Sequence, residues 1–96
     1  MPDQKVNKIR TVFAGTPSFA IPSVEAIALQ NEFELVGVYT QPDKPAGRGK
    51  KIVGSAVKRA LSTFDVPIFQ PNSLSDDGAL KTFRTLKPEL FVVAAY

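Results

Sequence analysis

Half of the basic residues of this 96-residue chain fall in one short stretch. The cations are Lys44, Arg48, Lys50, Lys51, Lys58 and Arg59, and Asp43 is the one acidic residue beside them. Such a local cluster attracts phosphate-rich partners. Gly47 and Gly49 free the backbone between the cations, and Arg48 is able to form two parallel hydrogen bonds with one phosphate. The stretch therefore predicts contact with nucleic acid, and an inert solvated loop is the alternative.

The chain lacks the residue types that most often carry out catalysis near neutral pH. It has no Cys, so disulfides, thiolate nucleophiles and Cys-ligated metals are excluded. It has no His, which excludes a Ser-His-Asp triad and removes the commonest general base. Its nine carboxylates are scattered, and no metal is expected. These residues alone are therefore poorly equipped for catalysis.

The bulk composition is typical of one small packed domain. Hydrophobic residues make up 44% of the chain, and the net charge is +3. No apolar run reaches the roughly 18 residues needed to cross a membrane. The first ten residues carry charges without an apolar stretch behind them, which is not the pattern of a secretory signal. We therefore expect no membrane association and a cytoplasmic location.

Short apolar runs alternate with helical patterns along the chain. Strands are predicted at 9–14, 34–40, 68–69 and 90–95, with helices between them. This alternation indicates an α/β protein with a Rossmann-like, doubly wound parallel sheet in the order 3-2-1-4 and helices on both faces. Residues 41–51 contain two prolines and two glycines, so they are predicted to form a long loop without regular structure.

Capping residues mark where the three helices begin and end. The first is predicted over 22–30, Ser55 and Ser75 are the expected N-caps of the other two, and Lys87-Pro88 ends the third. The side chains expected to face the core are Val24, Ile27, Ala28, Val57, Leu61, Phe64, Leu80 and Phe83.

The last predicted strand, 90–95, is apolar enough for the interior of a sheet. An open edge of this kind pairs with another copy or aggregates. We therefore expect the natural protein to continue beyond Tyr96, and we expect this piece to self-associate through its last strand.

The turn after the first strand, Gly15-Thr16-Pro17, stands where a dinucleotide fold has its glycine-rich loop. It does not match the G-x-G-x-x-G pattern, and Pro17 lacks an N–H that could hold a phosphate. Binding of a nicotinamide cofactor is therefore not expected. Thr16 is interpreted as a local turn or cap residue in preference to a ligand contact.

Several motifs resemble the methionyl-tRNA formyltransferase family. They lie at 12–20 (Val-Phe-Ala-Gly-Thr-Pro-Ser-Phe-Ala), throughout 38–51, at 66–71 and at 86–96. The resemblance covers residues 10 to 96, and the long stretch from Thr40-Gln41-Pro42 to Lys51 is its most specific part. It implies the formyltransferase fold, cut off after about four strands. Residues 1–96 would be the N-terminal half of the formyltransferase domain, without the rest of that domain and without the C-terminal domain.

The resemblance also implies a reaction, which is transfer of a formyl group from 10-formyltetrahydrofolate to the amino group of methionine on initiator tRNA, without a metal. It implies that Arg48 enters the acceptor stem, while Lys44, Lys50 and Lys51 contact phosphates. The Asn, His and Asp that catalyse the reaction in the family lie beyond Tyr96. No catalytic or folate-binding residue is assigned to this chain, so residues 1–96 alone are expected to be inactive and the whole enzyme is expected to be a monomer.

Two other interpretations stay open. One is a self-contained nucleic-acid-binding α/β module that uses the same basic stretch. The other is a formyltransferase that acts on a different acceptor, such as a sugar nucleotide, which would have no evident use for Arg48 and its neighbours.

Overall fold

A parallel four-stranded sheet forms the centre of the computed structural model, which describes residues 8–46, 49 and 51–96. In chain order the elements are β1 (Ile9–Gly15), a 3₁₀ turn (Ser18–Ala20), α1 (Ile21–Leu29), β2 (Phe33–Tyr39), β3 (Lys44–Ala46), β4 (Lys51–Val53), α2 (Ala56–Ala60), β5 (Ile68–Phe69), α3 (Asp77–Leu86) and β6 (Leu90–Ala94). The order within the sheet is β5-β2-β1-β6, with every pair parallel. This arrangement confirms the predicted 3-2-1-4 order of a doubly wound α/β sheet.

Helices cover both faces of the sheet. Successive side chains of a strand point to opposite faces, so neighbouring residues of β1 pack against different helices. Phe13 of β1 packs in one cluster with Val24 of α1 and Val57 of α2. Its neighbours Val12 and Ala14 pack in a second cluster on the opposite face, together with side chains of α3. All three β1 residues are completely buried, and each large one contributes about 1.5–3 kcal/mol to the free energy of unfolding. β1 is thus the centre of the core.

The predicted core positions are largely confirmed. Val24, Ile27, Val57 and Leu61 are buried, and Ala28, Phe64 and Phe83 are half-buried. Leu80 is the exception, since 39% of it is exposed. The second helix is short and ends at Ala60, before the chain turns.

One of the two predicted N-caps is correct. The Ser55 hydroxyl accepts a hydrogen bond from the backbone N–H of Lys58 at 3.0 Å, as an N-cap should. The expectation for Ser75 is wrong, because the N-cap of α3 is Asp76, whose carboxylate accepts from the backbone N–H of Gly78 at 3.2 Å. The end of α3 is at Lys87 as predicted, and this residue adopts a left-handed conformation with φ of 51°.

The prediction that 41–51 lacks regular structure is wrong in part. β3 and β4 pair antiparallel, with Lys44 opposite Val53, Pro45 opposite Ile52 and Ala46 opposite Lys51. Pro45 is compatible with this pairing because each strand of a two-stranded ribbon has an edge where a missing N–H costs nothing. Residues 44–51, called the basic segment below, thus have both ends in an antiparallel β-hairpin, and this hairpin is not part of the main sheet.

β6 pairs with β1 and lies at one edge of the sheet. Its Phe91 and Val93 side chains are 42% and 56% exposed. Self-association through this edge stays a prediction. Within the ranges that the structure describes, no helix has the length and apolar character needed to cross a membrane.

Candidate functional site

The polar residues of interest lie at the carboxyl edge of the sheet, where β1, β2, β5 and β6 all end. Ligands of open α/β sheets bind at this edge. Thr16 follows β1, Thr40 follows β2, and Gln70 follows β5. The hairpin β3–β4 departs from the same edge, since it begins four residues after Thr40. The fold therefore brings β3 and β4 to the edge at which open α/β sheets bind ligands.

A chain of hydroxyl groups joins three elements at this edge. The Ser55 and Thr40 hydroxyl oxygens lie 2.6 Å apart, and the Thr40 hydroxyl donates to the Thr16 hydroxyl at 3.5 Å. The Thr16 hydroxyl in turn donates to the backbone carbonyl of Tyr96 at 3.2 Å and accepts from the backbone N–H of Gln41 at 3.2 Å. Thr40 is completely buried, so its hydroxyl has no water to replace these partners.

Thr16 has a wider structural role than a local turn residue. Its hydroxyl partners are 24, 25 and 80 residues away in the sequence, and its carbonyl accepts from the N–H of Val57 in α2 at 3.3 Å. The Gln41 side-chain amide also donates to the Tyr96 carbonyl, at 3.3 Å. Ala95, which precedes Tyr96, has a left-handed φ of 59°, so the chain turns at the end of β6. The ends of β1, β2 and β6 are thereby held together.

A second polar group fixes the base of the hairpin. The Lys58 ammonium lies 3.1 Å from one carboxylate oxygen of Asp43 and donates to the Gln70 side-chain oxygen at 3.0 Å. The Gln70 amide nitrogen donates to the same Asp43 carboxylate at 2.6 Å and to the Gln41 carbonyl at 3.2 Å. Hydrogen bonds from Gln70 and then Lys58 hold the pKa of the Asp43 carboxyl below its usual range.

An open groove of about 250 Å³ runs between the hairpin and the sheet edge. Its lining includes Thr16, Gln41, Lys44, Ser55 and Arg59. Lys44 and Arg59 are exposed cations, whereas Lys58 is engaged by Asp43. Among the residues that the structure describes, the Arg59 guanidinium donates through Nε to the Gly54 carbonyl at 3.2 Å. The groove is thus lined by two cations, Lys44 and Arg59, and by the hydroxyl groups of Thr16 and Ser55.

The structure describes two of the four residues predicted to bind tRNA. Lys44 lies in β3 with an exposed side chain, and Lys51 begins β4 with its backbone opposite Ala46. Arg48 and Lys50 lie outside the described residues. Among the residues that the structure describes, no three His, Cys, Asp or Glu side chains approach closely enough to hold a metal ion.

Comparison with known proteins decides the family. Residues 7–96 match the family described as formyl transferase. The chain belongs to the formyl transferase family. A methionyl-tRNA formyltransferase of Pseudomonas putida (strain W619) is 50% identical over 88 residues, which is 92% of this chain and 28% of that protein. Proteins of the same name from Xanthomonas campestris pv. campestris (strain 8004) and Pseudoalteromonas translucida (strain TAC 125) are 50% and 46% identical over the same share of this chain and 28% and 27% of their own lengths.

This formyl transferase chain spans less than a third of the length of the curated relatives it matches. Sequence reasoning missed Asp43, Gln70 and Lys58 as a group, and it missed the link from Thr40 to Ser55. The partners in these contacts are 12 to 27 residues apart and come from different elements. The local signals were the position of Gln70 just after a predicted strand, the predicted N-cap at Ser55, and the presence of Asp43 and Lys58 in one basic cluster.

Proposed function

We propose that this chain is part of an enzyme that transfers a formyl group from 10-formyltetrahydrofolate to the amino group of methionyl initiator tRNA. The observation that carries the proposal is the 50% identity to proteins named methionyl-tRNA formyltransferase across 92% of the chain. The cytoplasmic location expected from the sequence and a monomeric whole enzyme form part of the same proposal.

Within this proposal, the basic hairpin segment binds the tRNA. Arg48 contacts the acceptor stem, while Lys44, Lys50 and Lys51 contact phosphates. Three features support this role: the segment leaves the sheet at its carboxyl edge, Lys44 is exposed, and Lys44 and Arg59 face one open groove. Phosphate contacts by several cations give a strong and salt-dependent affinity for nucleic acid.

In this proposal, the residues that catalyse the formyl transfer lie outside residues 1–96. Attack of the methionine amine on the formyl carbon creates a tetrahedral oxyanion, which an Asn amide and a protonated His stabilise while a carboxylate orients the His. Collapse of this intermediate breaks the bond between the formyl carbon and the folate nitrogen, and tetrahydrofolate leaves with a proton on that nitrogen while the attacking amine loses one. We propose that these three residues lie C-terminal to Tyr96, as the family resemblance implies. Residues 1–96 contain no His that could supply the imidazole, which supports this proposal for the His. This part of the protein supplies the scaffold and part of the tRNA contact.

The test is a formyl-transfer assay with the full-length protein and 10-formyltetrahydrofolate. We expect transfer to methionyl initiator tRNA and none to free methionine or to an amino-sugar nucleotide. Transfer to the sugar nucleotide in place of the tRNA would assign a different acceptor. Binding of tRNA without any formyl transfer would favour a nucleic-acid-binding module and refute the proposal.

A further inference from the structure

We propose that Asp43, Lys58 and Gln70 form a clamp that positions the basic hairpin for tRNA, so that the Asp43 carboxylate favours binding of a polyanion despite its negative charge. This inference rests on the proposed function, since it assigns positioning residues to the same tRNA-binding surface. None of the three needs to touch the tRNA.

The clamp connects three elements at one point. Asp43 directly precedes β3, Lys58 lies in α2, and Gln70 directly follows β5. Each of the three pairs is in direct contact: Lys58 with Asp43 at 3.1 and 3.2 Å, Lys58 with Gln70 at 3.0 Å, and Gln70 with Asp43 at 2.6 Å. A closed triangle of this kind restrains all three side chains more than an isolated surface ion pair would.

Close packing beneath the triangle adds to the restraint. A Cβ added to Gly54 would meet the Lys58 side chain at 3.0 Å and the Asp43 carboxylate at 3.4 Å. Gly54 directly follows β4, so both ends of the hairpin lie against the clamp. The clamp therefore fixes the direction in which β3 and β4 leave the sheet, and with them the exposed cation Lys44.

The cations of the cluster are consequently not equivalent. Lys58 already has a carboxylate and an amide oxygen as partners, so it does not act as a phosphate ligand. Lys44 and Arg59 remain for that role on the described part of the surface. A count of basic residues from the sequence overestimates the number of phosphate contacts by including Lys58.

Two physical effects predict opposite results when Asp43 is neutralised. Long-range electrostatics predicts tighter tRNA binding, because a negative charge near the site disappears. Loss of the clamp predicts weaker binding, because only a fraction of the hairpin population then has the competent orientation and the apparent dissociation constant rises in proportion. The sign of the change therefore separates the clamp from a simple charge effect.

The experiment measures KM for methionyl-tRNA and for the formyl donor in the full-length protein and its Asp43→Asn, Gln70→Leu and Lys58→Met variants. We expect KM for the tRNA to rise about threefold or more in each variant, with KM for the formyl donor unchanged. Gln70→Leu is the decisive variant, since it leaves the net charge unaltered. Asp65→Asn, at an exposed position outside the clamp, is the matched charge control and should not raise KM for the tRNA.

The salt dependence of tRNA binding provides the second readout. Lys58→Met should weaken binding without changing its salt slope, whereas removal of a true phosphate ligand lowers the slope by about 1. Tighter binding by Asp43→Asn, an unchanged KM in Gln70→Leu, or a lower slope in Lys58→Met would each overturn the clamp. If the unaltered protein failed to formylate methionyl-tRNA, the proposed function itself would fail, and that result is distinct from any of these.

Discussion

The hydroxyl oxygens of Thr40 and Ser55 lie 2.6 Å apart, and this contact joins the end of β2 to the first turn of α2. Ser55 uses the same oxygen to cap α2, and Thr40 is also linked to Thr16 at the end of β1. A helix of five residues has little stability of its own. Its position beside the sheet therefore depends on these contacts and on the buried side chains of Val57 and Leu61.

Replacement of Thr40 by Val tests this link. The change keeps the shape of the side chain but removes a buried hydroxyl, and the Ser55 hydroxyl loses its close partner. We expect the free energy of unfolding of the full-length protein to fall by about 1–2 kcal/mol in urea titrations. The same change at the exposed Thr63 should alter it by less than about 0.5 kcal/mol. Equal effects at both positions would show that the hydroxyl link contributes nothing.

Gly15, the last residue of β1, has no room for a side chain. An added Cβ would lie 2.7 Å from the Phe13 ring and 2.9 Å from the backbone carbonyl of Ala94. That carbonyl belongs to β6, which is paired with β1 and is not free to move away. We expect Gly15→Ala to lower the free energy of unfolding by about 1–3 kcal/mol.

The matched control is Gly78→Ala in the first turn of α3. The nearest atom to an added Cβ there is 4.0 Å away, so the helix accepts alanine without a clash. This variant should be more stable than the unaltered protein by about 0.4–1 kcal/mol. Destabilisation by both variants in thermal or urea unfolding would contradict the assigned packing around Gly15.

Arg10 connects the start of β1 to the end of α3. Its guanidinium donates to the backbone carbonyl of Leu86 from two nitrogens, at 2.9 and 2.5 Å. The contact between Arg10 and Glu34 is longer, at 3.8 Å, and the two side chains are 39% and 53% exposed, so this ion pair contributes little. We expect Arg10→Met to lower the free energy of unfolding, measured in urea titrations, by about 1 kcal/mol, because the C-terminal end of α3 loses the guanidinium that caps it. Lys81→Met on the exposed surface of α3 should be close to neutral, and an equal cost there would refute the capping role.

The Asp43 carboxyl should titrate below the usual range of an aspartate. Gln70 and then Lys58 lower its pKa by hydrogen bonds, and the positive charge of Lys58 lowers it further. Because the pKa is lower in the folded than in the unfolded protein, the associated stability is complete at neutral pH and disappears as the pH falls below about 4. NMR titration of the carboxyl carbon should show a higher pKa in Gln70→Leu, and an unaltered pKa would contradict the contact.

The sequence was sufficient to predict the main sheet because its strands are short, apolar and separated by capped helices. Ser55 and Lys87 carried local signals that the structure bears out. Asp76, and not Ser75, is the N-cap of α3. The two residues are adjacent and both types can accept a hydrogen bond from the first turn of a helix, so the sequence did not distinguish them. The hairpin was not predicted because two prolines, Pro42 and Pro45, and two glycines suggested irregular backbone. Its strands are instead fixed by pairing with each other and by Asp43 at the base.

The candidate site was predictable only where charge was concentrated in the sequence. Lys44 to Lys51 stood out as a basic segment with flexible backbone. The contacts that position it depend on Gln70 and Thr16, which approach only after β5, β2 and β1 are aligned in the sheet. No spacing in the sequence reports such a long-range arrangement.

The most direct test of the account is the salt dependence of methionyl-tRNA binding by the full-length protein and its Arg48→Ala variant. If Arg48 contacts the acceptor stem, the variant should bind tRNA more weakly, with a salt slope lower by about 1, while use of the formyl donor stays the same. Arg84→Ala on the exposed surface of α3 is the control and should change neither. An Arg48→Ala variant with unaltered affinity and slope at physiological salt would contradict the assignment of the basic segment to tRNA.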